Sequence, residues 1–346
     1  MLKDKKKKKK GNRTQKFYDK ISASENVVEE ANVPVEATEK EQKRKKFSLK
    51  NLNKKKILMM MLIGCVAIGI IGCTAVGVII ARTPDIDTAN IAEILTESTI
   101  IYDDSGDEVD TVFAENNRTN IKFEDLPDNM VNALVALEDK TFWTHKGFNF
   151  VRIAGAIVQA VSSGGDIGGT STLTQQLARN LFLQDTQYDH SYVRKIQEAY
   201  YSVILEKELS KEQIIETYCN TVYFGFGSYG VQAAAQSYFS KDADELTLAE
   251  CASLAAMPQS PTAYQMIVLV GNDEVTDDDK DMVLKETANG TYIANDLSKD
   301  RRETCLALML DQGYITQKQY DKAVKKSLKK MLDPTYSNEN TSATYF

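Results

Sequence analysis

Hydrophobic and polar positions change rhythm several times along this chain, and each change predicts an element. Residues 1–56 are mostly Lys, Glu, Asn and Ser with few aromatics, a composition that reads as disordered. Residues 57–81 then run for 25 positions without a charge. At about 1.5 Å per helical residue they reach roughly 37 Å, enough to cross a hydrocarbon core. Two short alternating runs, 99–102 and 108–112, flank the Asp- and Gly-containing stretch 103–107 and predict a β-hairpin. From Leu126 onward the period becomes helical. Pro127 opens a helix with Met130, Leu134 and Leu137 on its apolar face, and similar periods recur through 151–161, 171–183, 193–209, 211–219, 229–239, 246–256 and 301–311. Residues 265–300 lose the period and collect acids, so they read as a solvated loop or insertion; EF-hand spacing is absent. The last stretch, 333–346, is polar and linker-like. The fold class expected is mainly α, with a short β-hairpin and one transmembrane helix ahead of the helical part.

Charge sharpens the picture. The net charge of −7 conceals 19 basic and 8 acidic residues in 1–56, a surplus of +11 against −18 for the rest. Lys43, Arg44, Lys45, Lys46, Lys50 and Lys54 to Lys56 crowd one side of the apolar run, and Arg82 stands alone close to the other. The positive-inside rule then places the N-terminus in the cytoplasm and residues 82–346 outside. A signal peptide would be shorter and nearer the start. Lys5 to Lys10 suit anionic membrane lipids. Nucleic acid is not expected as a partner, because the tail has no interleaved aromatics for base stacking. Small residues recur at Cys65, Gly69, Cys73, Gly77 and Ala81, which is ordinary for membrane helices. Five Cys with no CxxC pair argue against a disulfide framework or zinc ribbon, and two His exclude a poly-His metal site. Free Cys219, Cys251 and Cys305 outside the cell imply burial or a weakly oxidising surface.

Four blocks carry candidate chemistry. In the first, Glu138 and Asp139 end an apolar helix face and enter a turn with Phe142, Trp143, His145 and Gly147. A carboxylate beside apolar surface gains basicity, as a general base requires, although a charged helix end before a Gly turn explains the segment as well. The second block runs from Gly168-Gly169 through Thr170, Ser171, Thr172 and Thr174 to Gln175, Gln176 and Arg179. Hydroxyls and amides at a helix N-terminus suit an anion, and a plain cap is the alternative. The third is Arg194-Lys195-Ile196-Gln197-Glu198, whose charges share a helix face at i,i+3 and i,i+4; a surface ion-pair lattice would read the same. The fourth, 211–241, sets Tyr223, Phe224, Phe226 and Tyr229 among Gly225, Gly227 and Gly230, a pattern that packing mostly explains.

Together these blocks resemble the peptidoglycan glycosyltransferases of family 51. The matching residues are Glu138-Asp139…Phe142…His145…Gly147, Gly169…Ser171-Thr172…Thr174-Gln175-Gln176, Arg194-Lys195…Glu198, Tyr223-Phe224-Gly225…Tyr229-Gly230-Val231, and 248–264. The resemblance covers about 97–264 and 301–316. Ser240 stands where Gly is usual, Cys219 where Leu is usual, and His190 where many relatives have Arg or Lys.

The resemblance implies a lysozyme-like glycosyltransferase head with a small membrane-facing jaw, for which 148–161 is the candidate. It implies polymerisation of lipid II onto a nascent glycan strand, with inversion at C1 and release of undecaprenyl pyrophosphate. Glu138 and Glu198 are the implied catalytic pair, Glu138 as the base. Asp139, His145, Ser171, Thr172, Thr174, Gln175, Gln176, Arg179, His190, Arg194 and Lys195 are the implied substrate-binding residues. A divalent cation such as Mg or Mn, held at Glu198, is the implied cofactor; the other role for Glu198 is to orient Lys195. Implied partners are membrane lipids, divisome or elongation proteins, and a transpeptidase domain in a longer chain or a separate cross-linking enzyme.

The expected layout is thus a cytoplasmic tail at 1–56, a transmembrane helix at 57–81, a juxtamembrane hairpin segment at 82–125, a glycosyltransferase domain at 126–332 and a linker at 333–346. The aromatic end of the chain leads us to expect the first half of a bifunctional protein, with a monofunctional enzyme as the alternative. Ser327-Leu328-Lys329-Lys330 matches S-x-x-K by chance, since no K-T-G follows. A lysozyme-like hydrolase or lytic transglycosylase, and a non-catalytic divisome scaffold, remain the rival readings.

Overall fold

The computed structural model describes residues 54–86, 99–102, 108–112, 117–118, 120–163, 169–184, 191–277 and 279–334. The basic tail up to residue 53, the hairpin turn at 103–107, His190 and the linker beyond Pro334 lie outside the described residues. The chain divides into two units, Met1–Gly64 and Cys65–Phe346.

Helix α1, Lys54–Arg82, is the one described helix long and apolar enough to cross a membrane, and none of its apolar window is buried. Its Thr74 hydroxyl folds back onto the Ile70 carbonyl at 2.8 Å, so the polar group is satisfied within the helix. Strands β1 (Thr99–Tyr102) and β2 (Glu108–Val112) pair antiparallel, as the alternation predicts.

The second unit is mainly helical. Helix α2, Asp128–Glu138, starts after Pro127 and carries Asp128 in its first turn, where an acid suits the helix dipole. Its Met130, Ala133, Leu134 and Val135 are completely buried. Helix α3 spans Phe150–Ser163, α4 Leu173–Phe182, α5 Tyr192–Glu208 and α6 Lys211–Thr221. Helix α7 spans Val231–Phe239 and α8 Leu248–Ala255, with the short α9 at Pro261–Tyr264. Helix α10 is Asp296–Asp311, α11 Gln317–Val324 and α12 Leu328–Met331. One core joins α2 and α4 to α12: α2 packs against α8 and α10, while α4 packs against α5 and α6. Local chemistry sets several helix starts. Reciprocal capping boxes link Thr172 with Gln175, Ser210 with Gln213, Thr247 with Glu250 and Thr316 with Gln319. Ser240 adopts the left-handed backbone (φ 51°) that suits a Gly after α7, and its hydroxyl donates to the Asp333 carbonyl at 2.6 Å.

Two features depart from the pattern reading. Strand β3 (Asn117–Arg118) pairs in parallel with β4 (Ser228–Tyr229), so the segment ahead of the helical core is stitched to the aromatic-Gly turn. Asn220 adds a second stitch, accepting from the Ile121 N–H at 2.9 Å and donating to the Ile121 carbonyl at 2.8 Å. The stretch 265–300, expected as a solvated loop or insertion, holds a three-stranded antiparallel sheet. Strand β5 is Ile267–Val270, β6 Val283–Thr287 and β7 Gly290–Ala294, in the order β5-β7-β6. The run Ile267-Val268-Leu269-Val270 has β-forming side chains, and Ala288-Asn289 make the two-residue turn that the Thr287–Gly290 pair closes. Helical periodicity is blind to both signals. Gly290 is obligatory here: at φ +146° a Cβ would stand 2.7 Å from the Val270 carbonyl oxygen. The acids at 273–281 occupy the connection between β5 and β6.

Candidate active site

Glu138 is the last residue of α2, and its side chain is 11% exposed. The sequence pattern suggested an apolar surrounding; the structure gives it donors. Gln176 Nε2 donates to Oε2 at 3.0 Å, and Arg301 Nη2 pairs with Oε1 at 2.9 Å. The Gln176 amide oxygen accepts from the Tyr218 hydroxyl at 3.0 Å.

Asp139 turns the other way and is fully buried. Its carboxylate accepts from the Leu173 N–H at the start of α4 (3.1 Å) and from Thr141 (3.1 Å), and pairs with Arg152 at 3.4 Å. His145 Nε2 lies 2.7 Å from Asp139. The Gly147 N–H donates to His145 Nδ1 at 3.1 Å, which assigns the proton toward Asp139 to Nε2. Glu206 lies 3.6 Å from the same Nδ1 and accepts from Thr174 (2.6 Å) and Lys211 (2.7 Å). Lys211 also sits over the Phe142 ring, 4.4 Å from its centre. Thr172 donates to the Gly147 carbonyl at 2.6 Å, and Gln175 caps the Thr172 N–H at 3.0 Å. Asp139, His145, Thr172, Thr174 and Gln175 are therefore all buried and engaged internally.

The third block lies on α5. Glu198 is 1% exposed and pairs with Lys195 at 2.7 Å and Arg194 at 3.3 Å. Arg194 is buried with it, whereas the Lys195 side chain is 44% exposed and its Nζ reaches the Ser171 hydroxyl at 3.1 Å. Arg179, on α4, is half-buried. Residues 171–176 are thus the meeting point: Ser171 reaches Lys195, Thr172 reaches Gly147, the Leu173 N–H reaches Asp139, and Gln176 reaches Glu138. Among the described residues no group of three or more His, Cys, Asp or Glu could hold a metal ion. Both Glu198 oxygens face cations, so this donor set does not fit a resident divalent metal.

A family model described as Transglycosylase matches residues 105–288, more than half of the chain. The chain belongs to the transglycosylase family. Penicillin-binding protein 1A of Clostridium perfringens is 37% identical over 294 residues, covering 82% of this chain and 32% of that protein. Penicillin-binding protein 1F of Bacillus subtilis is 36% identical over 226 residues, 65% of this chain and 28% of that one. The chain therefore spans about a third of the length of the relatives it matches. A crystal structure of penicillin-binding protein 1A from Haemophilus influenzae overlays with a TM-score of 0.33 at 23% identity, over 67% of this chain and 20% of that one, too loosely to bear on the fold.

The transglycosylase match takes in the first four blocks and most of the small sheet. Sequence reasoning missed Arg301, Tyr218, Arg152 and Glu206 as neighbours of those blocks. Arg301 lies 163 positions from Glu138, and no local pattern links them. Tyr218 stood in an aromatic stretch that packing already explained.

Proposed function

We propose that this transglycosylase polymerises lipid II into glycan strands outside the cytoplasmic membrane, anchored by α1 with its N-terminus inside. The carrying observation is the convergence on residues 171–176, which ties the Glu138 carboxylate to the exposed Lys195 cation through one short segment. Glu138 takes the proton of the acceptor GlcNAc 4-hydroxyl as that oxygen bonds to C1 of the donor MurNAc. The C1–oxygen bond to the leaving group breaks with inversion, and undecaprenyl pyrophosphate departs with the bonding electrons. Lys195 and Arg179 are the accessible cations for the pyrophosphate, with His190 a third candidate; charge placed there acts as negative charge develops. Glu198, itself paired with Arg194, holds Lys195 in place, which favours the orienting role for Glu198 over a metal-binding one. Ser171 and Gln176 line the donor side. Asp139, His145, Thr172, Thr174 and Gln175 act from within, fixing the start of α4 against the Glu138 turn. Partners among divisome or elongation proteins and a cross-linking transpeptidase follow from the same reading.

The test is incubation of the detergent-solubilised chain with labelled lipid II. Polymer supports the reading; fragments of preformed glycan point to a hydrolase, and no reaction points to a scaffold. Glu138→Gln is expected to cut polymerisation by about 10²–10⁴-fold without unfolding the protein. Near-normal turnover in that variant sinks the base assignment.

A further inference from the structure

Both oxygens of the Glu138 carboxylate are held from outside the segment that carries it. Arg301, on α10, pairs with Oε1 at 2.9 Å. The guanidinium is itself anchored twice more: its Nε donates to the Ala256 carbonyl at 2.8 Å, and it lies 5.2 Å from the centre of the Tyr264 ring. Gln176 donates to Oε2 at 3.0 Å. A carboxamide can sit either way round, and here Tyr218 decides which. The Tyr218 hydroxyl donates to Gln176 Oε1 at 3.0 Å, so the NH₂ end faces Glu138. Reversed, an amide oxygen would face a carboxylate oxygen. Tyr218 is fully buried, and burial first, then the nearby Glu138 charge, pushes its phenol well above the usual range. The hydroxyl therefore keeps its proton and remains a donor.

We propose that Arg301 and Tyr218 are positioning residues for Glu138: Arg301 fixes one carboxylate oxygen directly, and Tyr218 fixes the other through the orientation of the Gln176 amide. This rests on the reading of Glu138 as the base. Neither residue need touch substrate. A free Glu side chain gives up rotamer freedom when it is fixed. Two pre-set contacts meet that cost before substrate arrives, and a misplacement of about 1 Å at a reacting group can cost about 10²-fold in rate.

The test uses the full chain in detergent, with initial polymerisation rates measured against lipid II concentration. Tyr218→Phe removes one oxygen atom and leaves the ring in the core. It is expected to lower kcat by about 10-fold or more with KM changed by less than about twofold, the signature of a lost transition-state contribution. Arg301→Ala is expected to lose kcat similarly and to recover part of it with guanidinium ion added below denaturing concentrations. Arg301→Lys should keep the charge but not the geometry, and fall between. A purely structural role would not respond to guanidinium. If Tyr218→Phe and Arg301→Lys both remain folded by near-ultraviolet circular dichroism and keep kcat within about twofold of the parent, the proposal is overturned. Glu138→Gln, run alongside, separates the two ideas. Full activity in that variant removes the base itself. An inactive Glu138→Gln beside fully active Tyr218→Phe and Arg301→Lys removes only the positioning role.

Discussion

At the scale of single residues, Gly147 shows how tightly the turn after Glu138 is built. Its φ is +97°, and a Cβ would stand 2.9 Å from the backbone carbon and oxygen of Ser202. Left-handed backbone costs a non-Gly residue about 1–2 kcal/mol, and forcing atoms into a packed site about 1–3 kcal/mol more. Gly313 has a similar φ of +78° but open space around it. Gly147→Ala should therefore destabilise by at least about 1 kcal/mol more than Gly313→Ala, read by denaturant unfolding followed through Trp143 fluorescence. Equal losses would mean that backbone strain alone sets the requirement. Asp139 teaches a related lesson. It follows Glu138 directly, yet successive residues at a helix end point apart, and burial gives Asp139 to the interior.

At the scale of elements, the same capping box does different work in different places. Thr172 and Thr316 both cap with a Gln three residues on. Thr172 is buried and also donates to the Gly147 carbonyl, while the bonds of Thr316 are exposed. A cap is worth about 0.5–2 kcal/mol, and leaving a buried carbonyl unpaired adds about 1–3 kcal/mol. Thr172→Ala should then cost at least about 1 kcal/mol more than Thr316→Ala in thermal unfolding, and should also slow polymerisation, because it loosens the segment that touches Glu138 and Lys195. Helix α3 exposes Phe150, Val151 and Val158 on the surface. A head lacking residues 1–82 should float with lipid vesicles through this helix. If Phe150→Ser with Val151→Ser leaves flotation unchanged, α3 is not a membrane-facing jaw.

At the scale of the whole molecule, burial governs the response to pH. The Cys305 thiol is pushed up from 9.0 to about 12, mainly by burial, and Cys219 and Cys251 are raised for the same reason. An unfolded chain releases these protons near pH 9, whereas the folded protein holds them, so their contribution to stability is complete below pH 9 and fades as pH climbs toward 12. The melting temperature should fall steeply above pH 9, and the three thiols should resist alkylation at neutral pH until the protein unfolds. A flat profile from pH 8 to 11 would contradict the burial. What the sequence determined by itself was local: the uncharged span of α1, the helical periods, the caps and the charged pairs of α5. Each depends on neighbours within about four residues, and the chain carries that information directly. The four motif blocks were legible too, as residue types in order. Tertiary structure alone decided which groups meet. It brought Arg301 across 163 positions to Glu138, turned Gln176 through Tyr218, enclosed Asp139 and His145, and paired β3 with β4 in parallel. Such contacts follow from how distant apolar faces pack into one core, and no local period encodes which polar tips that packing leaves side by side.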